Sequence, residues 1–132
     1  MARGGGVRLR QPVGRRPFCQ SGETPGTLVS SITFRHPALL AKEALTIDHI
    51  SDGRLELGIG AGSASHDVEM TGLPAWQRPE RTRRFREFVL MLDALLRQEP
   101  GSAAGTSFDG KYYQASEAIM NPGPVQRIGL KP

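Results

Sequence analysis

At 132 residues the chain suffices for one ordinary domain, and its single cysteine, Cys19, excludes an internal disulfide framework or a thiolate metal cluster. The net charge of +4 is unevenly placed: residues 1–22 carry five arginines (Arg3, Arg8, Arg10, Arg15, Arg16) and no acid, leaving 12 basic and 13 acidic side chains beyond them. A near-neutral body lacks the clustered excess charge of a phosphate footprint, which argues against nucleic acid as a partner.

Residues 1–24 contain a Gly triplet and two prolines but no periodic apolar pattern, which predicts a disordered basic tail ahead of one domain over 25–132. From Pro25 the composition turns β-branched, and TLVSSITF predicts a strand over 27–34. His36-Pro37 then opens a helix, Pro37 fitting the first helical position, where its missing N–H costs nothing. Leu40, Ala44, Ile47 and Ile50 form its apolar stripe, and Ser51-Asp52-Gly53 ends it with Gly53 as a left-handed cap. Residues 54–59 read as the next strand, with Leu55, Leu57 and Ile59 alternating. Strand, helix and strand in this order define a right-handed parallel βαβ unit, with Leu28, Val29, Leu40, Ile47, Leu57 and Ile59 expected in one core. Ligands in such architectures sit at the carboxyl ends of the strands, which places Ser30–Ser31 and Gly60–Ser63 on one rim.

The long connection Ala61–Glu80 is expected to hold one short helix over His66–Thr71. A helix over 80–98 follows, with the stripe Phe85, Phe88, Val89, Leu92, Leu95 and Leu96. Its arginines, Arg81, Arg83, Arg84 and Arg86, crowd the end where the helix dipole disfavours cations, so acidic partners or a bound anion are expected to compensate. In SFDGKYYQA, Asp109-Gly110 signals a hairpin with positive φ at both turn residues. Asn121-Pro122-Gly123-Pro124 is a loop leading out.

Of the histidines, His36 fits a helix cap and His49 a favourable helix end, while His66 lies in the connection on the rim side. No pair has metal-ligand spacing, so no metal site is expected. GIGAGS lacks the third glycine of a dinucleotide fingerprint. No apolar run reaches the ~18 residues of a membrane span and the basic start has no apolar signal core, so a cytoplasmic protein without a membrane partner is expected.

In order and spacing, GTLVSSITFRHPALLAKEALTIDHISDGRLELGIGAG, TGLP, RTRRFREFVLMLDALL, SFDGKYYQ and NPGPVQR resemble the luciferase-like monooxygenase superfamily of flavin- and deazaflavin-dependent oxidoreductases. A whole (β/α)8 barrel needs roughly 250 residues. The resemblance therefore implies an α/β fold that is a partial TIM barrel: its third and fourth βα units as two parallel units, plus a β-hairpin. It implies a bulge at Leu28 and Val29, often with a non-prolyl cis peptide, behind the ring of FMN or of the deazaflavin coenzyme F420. Ser31 would lie near the ring edge, and Gly60, Ala61, Gly62 and Ser63 would line the ring. Many relatives carry Trp or an acid where Ser63 stands, so no catalytic residue is carried over. The implied function is that of an oxidoreductase fragment whose intact relatives transfer hydride to or from a small-molecule substrate, with the deazaflavin branch favoured. The phosphate end of the cofactor would be held by later strands and loops, so tight binding by this chain is not expected. The alternative is a non-catalytic truncated remnant or half-barrel whose open sheet edges pair with another chain, as a homo-oligomer or with a complementing polypeptide.

Overall fold

A computed structural model describes residues 23–62 and 66–126. The expected basic tail falls almost wholly outside the described residues, as does Ser63. The elements in chain order are β1 (Gly26–Ser31), α1 (Pro37–Ile50), β2 (Glu56–Gly60), α2 (His66–Thr71), α3 (Arg78–Leu96), β3 (Thr106–Asp109) and β4 (Gln114–Ala118). β1 and β2 pair in parallel, and β3 and β4 form a separate antiparallel pair.

The punctuation that starts and stops α1 is local. His36 is extended at the N-cap and its Nδ1 accepts from the Ala38 N–H at 3.2 Å, while Pro37 occupies the first turn. At the other end the Gly53 N–H returns to the Asp48 carbonyl at 2.8 Å, with φ of 74° at Gly53 and 56° at Asp52. The left-handed stop is thus shared by two residues rather than held by Gly53 alone.

α1 and α3 supply the core. Leu40, Ala41, Ala44 and Leu45 of α1 cluster with Phe88, Met91, Leu92, Leu95 and Leu96 of α3, and Leu55, Leu57 and Ile59 pack against them from the β2 side. Tyr113 closes the cluster from the hairpin in a T-shaped pair with Phe88, ring centroids 5.5 Å apart. Burial pushes the Tyr113 hydroxyl above its ordinary value, an effect that the nearby Arg84 partly offsets.

Four expectations are corrected. The apolar stripe of α1 does not run to its end, for Ile50 is 47% exposed and Ile47 lies outside the core cluster, the buried face being completed by Ala41 and Leu45 instead. β1 stops at Ser31 rather than running to residue 34, because the chain turns there: the Phe34 N–H bonds the Ser31 carbonyl at 3.3 Å. Leu28 and Val29 are not core residues but 99% and 53% exposed. A register shift between Thr27 and Ser30 turns this pair out of the alternation. The hairpin bends through residues 110–113, closed by the Gly110 N–H to the Tyr113 carbonyl at 3.0 Å, and positive φ falls on Glu117 (47°) rather than on Asp109 and Gly110. Here tertiary contact overrides the turn preference, since Glu87 of α3 accepts from the Tyr112 N–H at 2.8 Å.

Of the four crowded arginines, Arg84 finds an acidic partner. The Arg84 guanidinium lies 4.5 Å from the Trp76 ring centroid and 4.3 Å from that of Tyr112, and bonds Glu80 one turn back at 2.9 Å. A cation between two aromatic faces ties the connection, α3 and the hairpin together.

Asp48 is fully buried and anchors the outgoing loop. Its carboxylate accepts from the Val125 N–H at 2.9 Å, the Gln126 N–H at 3.3 Å and the Gln126 Nε2 at 2.8 Å. Beside it, His49 Nε2 donates to the Gly123 carbonyl at 2.7 Å. Asp48→Ala is expected to release this loop at a cost of about 1–3 kcal/mol, since buried donors would be left without their acceptor. A melting temperature lowered by at least ~4 °C checks it.

Candidate functional site at the strand ends

The register pairs Ser30 with Ile59 and Ser31 with Gly60, so the carboxyl ends of both parallel strands meet as the rim reading requires. Leu28 and Val29 are joined by a non-prolyl cis peptide bond at the bulge. A Cβ at Gly58 would lie 2.3 Å from the Thr27 carbonyl oxygen, and one at Gly60 would lie 2.7 Å from Val29 Cγ2. The alternating glycines therefore admit the bulged neighbour strand itself. Thr27 Oγ1 adds a bond to the Gly58 carbonyl at 2.9 Å, securing that approach.

Past the strand ends lies a polar cluster. Asp67 Oδ2 accepts from Thr33 Oγ1 at 2.6 Å and from Ser31 Oγ at 3.0 Å, and the two hydroxyl oxygens are themselves 2.6 Å apart. Gly62, at φ 84°, sits over the cluster: a Cβ there would meet Asp67 Oδ2 at 2.7 Å and Ser31 Oγ at 2.8 Å. Here a side chain is excluded both by backbone conformation and by space. The structure thus brings together Leu28, Val29, Ser31, Gly60, Ala61 and Gly62, and adds Thr33 and Asp67, which the sequence did not single out. Asp67 is 34 residues from Thr33, and no local pattern links them.

His66 stands apart from this cluster in character. Its side chain is 83% exposed, with Glu69 at 3.8 Å. Among the described residues there is no group of three or more His, Cys, Asp or Glu side chains that could hold a metal ion, and no helix is long and apolar enough to cross a membrane.

The donor set fits part of a planar ring system. Leu28 and Val29 offer exposed apolar surface beside the strand ends, and no cationic side chain stands among these residues to take a phosphate.

Two parallel strands joined by a helix, with a bulge within the first and a glycine turn after the second, form a βαβ unit of the kind from which a (β/α)8 barrel is built. Residues 26–130 match the family model of the luciferase-like monooxygenases, and the chain belongs to that family. It is 33% identical to an F420-dependent glucose-6-phosphate dehydrogenase of Intrasporangium calvum, in a match covering 90% of this chain and 38% of that protein. It is 32% identical to an FMNH2-dependent dimethylsulfone monooxygenase of Pseudomonas putida, covering 69% of this chain and 24% of the other. Among solved structures, an F420-dependent secondary alcohol dehydrogenase in complex with an F420-acetone adduct superposes with a TM-score of 0.67 at 25% identity, over 80% of this chain and 31% of that one. A coenzyme F420-dependent tetrahydromethanopterin reductase from Methanopyrus kandleri shares the fold, with a TM-score of 0.66 at 24% identity over 82% of this chain and 33% of its own. The chain spans between about a quarter and two fifths of the length of these relatives.

Proposed function

We propose that this chain supplies one flank of a luciferase-like oxidoreductase site in which F420 or FMN transfers hydride to or from a small-molecule substrate. The observation that carries this reading is the bulge: it turns two apolar side chains out of a strand beside Gly58 and Gly60, at the end of the sheet where such barrels bind ligands. The cofactor, when bound, supplies the redox chemistry. The residues present would back one face of the ring through Leu28 and Val29, while the backbone at Gly60, Ala61 and Gly62, with Ser63 after it, would line its edge. The deazaflavin coenzyme is the better fit to the relatives, since several at 31–34% identity are F420-dependent dehydrogenases. Cys19 as the lone cysteine accords with a reducing cytoplasm.

A flank alone lacks a phosphate grip and the facing wall. The isolated chain is therefore expected to show no saturable micromolar binding of FMN or F420 by fluorescence titration, and no hydride transfer. Micromolar binding by a purified monomer, abolished by Gly60→Val, would show instead that the two strand ends make a complete site.

A second reading, a truncated remnant or half-barrel that associates with a second copy or a complementing chain, is favoured by the open sheet. β1 and β2 each pair with only one strand among the described residues, and a groove of about 810 Å³ runs along β2 past Leu55, Leu57, Ile59 and Leu92. Light scattering after size exclusion would read a mass above the monomer's if this association occurs; a monomer at all concentrations would remove self-association.

A further inference from the structure

We propose that Asp67 is a positioning residue for the strand ends, latching the carboxyl end of β1 to the turn that follows β2. The inference rests on the reading of those ends as one flank of a ring site, and deepens it by naming what holds the flank in shape. Asp67 is 9% exposed and sits in the first turn of α2, a helix of only six residues, too short to be stable by itself. Its carboxylate accepts hydrogen bonds from the Ser31 and Thr33 hydroxyls, charge-assisted bonds that are stronger than neutral ones. Between the two anchored residues, the Ile32 N–H bonds the Gly60 carbonyl at 3.1 Å, the last link between the two strands. Gly62 covers the latch with no room for a Cβ. The positions of Ser31, Gly60 and Gly62 are thus set from behind by one side chain.

A consequence separates this role from direct contact. Ser31 Oγ lies within hydrogen-bonding distance of both Asp67 Oδ2 and Thr33 Oγ1, so its hydroxyl serves the latch, and what Ser31 presents to a ring is its backbone. The nearby small cavity lined by Thr33, Asp67, Trp76 and Arg81 measures only about 10 Å³, too small for a ring ligand.

Amide exchange and FMN-induced shifts in nitrogen-15 spectra of the full chain test the proposal. In Asp67→Asn and in Thr33→Val, exchange at Ile32 is expected to quicken about tenfold while core amides of α1 and α3 keep their protection. Thr33→Ser, which restores the hydroxyl, is expected to restore the wild-type rate. Millimolar FMN should shift the amides of Leu28–Ser31 and Gly60–Gly62 in the wild type and in Thr33→Ser, and leave them unmoved in the other two variants. Unchanged exchange at Ile32 in Thr33→Val and Asp67→Asn overturns the latch. If exchange follows the expected pattern but FMN shifts nothing in any variant, the latch stands and the ring-site reading falls. Should Asp67→Asn fail to fold, Thr33→Val against Thr33→Ser decides the matter, because a methyl in place of the hydroxyl leaves shape and carboxylate intact.

Discussion

Phe88→Ala is expected to lower stability by about 3–5 kcal/mol, the range for removing a large aromatic from a closed core. Phe88 is fully buried, lies in the cluster shared by α1 and α3, and forms a T-shaped pair with Tyr113. The surrounding helices are held by several further contacts and cannot collapse onto the space left behind. Against a total stability of about 5–15 kcal/mol for ordinary domains, such a loss removes a large share of the stability and, at the low end of that range, the folded population itself. Thermal melts followed by circular dichroism check this. A change below ~1 kcal/mol would mean that the contact between α1 and α3 is not what sustains the unit.

Gly58→Ala is expected to act on the strand pair rather than on the helices. The new Cβ would lie 2.3 Å from the Thr27 carbonyl oxygen, a backbone atom that cannot swing aside, so β1 and β2 must separate at the bulge. Overpacking of this kind costs about 1–3 kcal/mol, or more where the backbone must move. Exchange of the amides that join the two strands should become fast while those of α3 stay protected. Retained protection between the strands would show that the close approach at Gly58 is not needed for pairing.

The two substitutions divide what was legible in the sequence from what was not. The helices were legible because their signals are local: His36-Pro37 opens α1, Asp52-Gly53 closes it, and the Phe88–Leu95 stripe marks the buried face of α3. The rim was legible through parallel topology and family resemblance, which together placed Ser31 beside Gly60. What failed were features decided by contacts distant in the chain. Leu28 and Val29 read as buried by composition, yet the register shift opposite Gly58 turns them out. Asp109-Gly110 carries strong turn chemistry, yet Glu87 of α3 bonds the Tyr112 amide and the chain bends through a longer loop. Asp67 carries no signal of its own on its short helix, and only the fold brings Ser31 and Thr33 to it.

The aromatic–guanidinium stack has a spectroscopic consequence. Trp76 is the only tryptophan of the chain, so its emission comes from one environment: a ring with the Arg84 cation 4.5 Å from its centre, at the end of the connection that begins after β2. When that connection lifts from α3, the indole exchanges a cationic neighbour for water and its emission moves to the red. Tryptophan emission therefore reports docking of the connection separately from the helix signal, and the order in which the two signals are lost on heating distinguishes a connection that detaches first from one that melts together with the core.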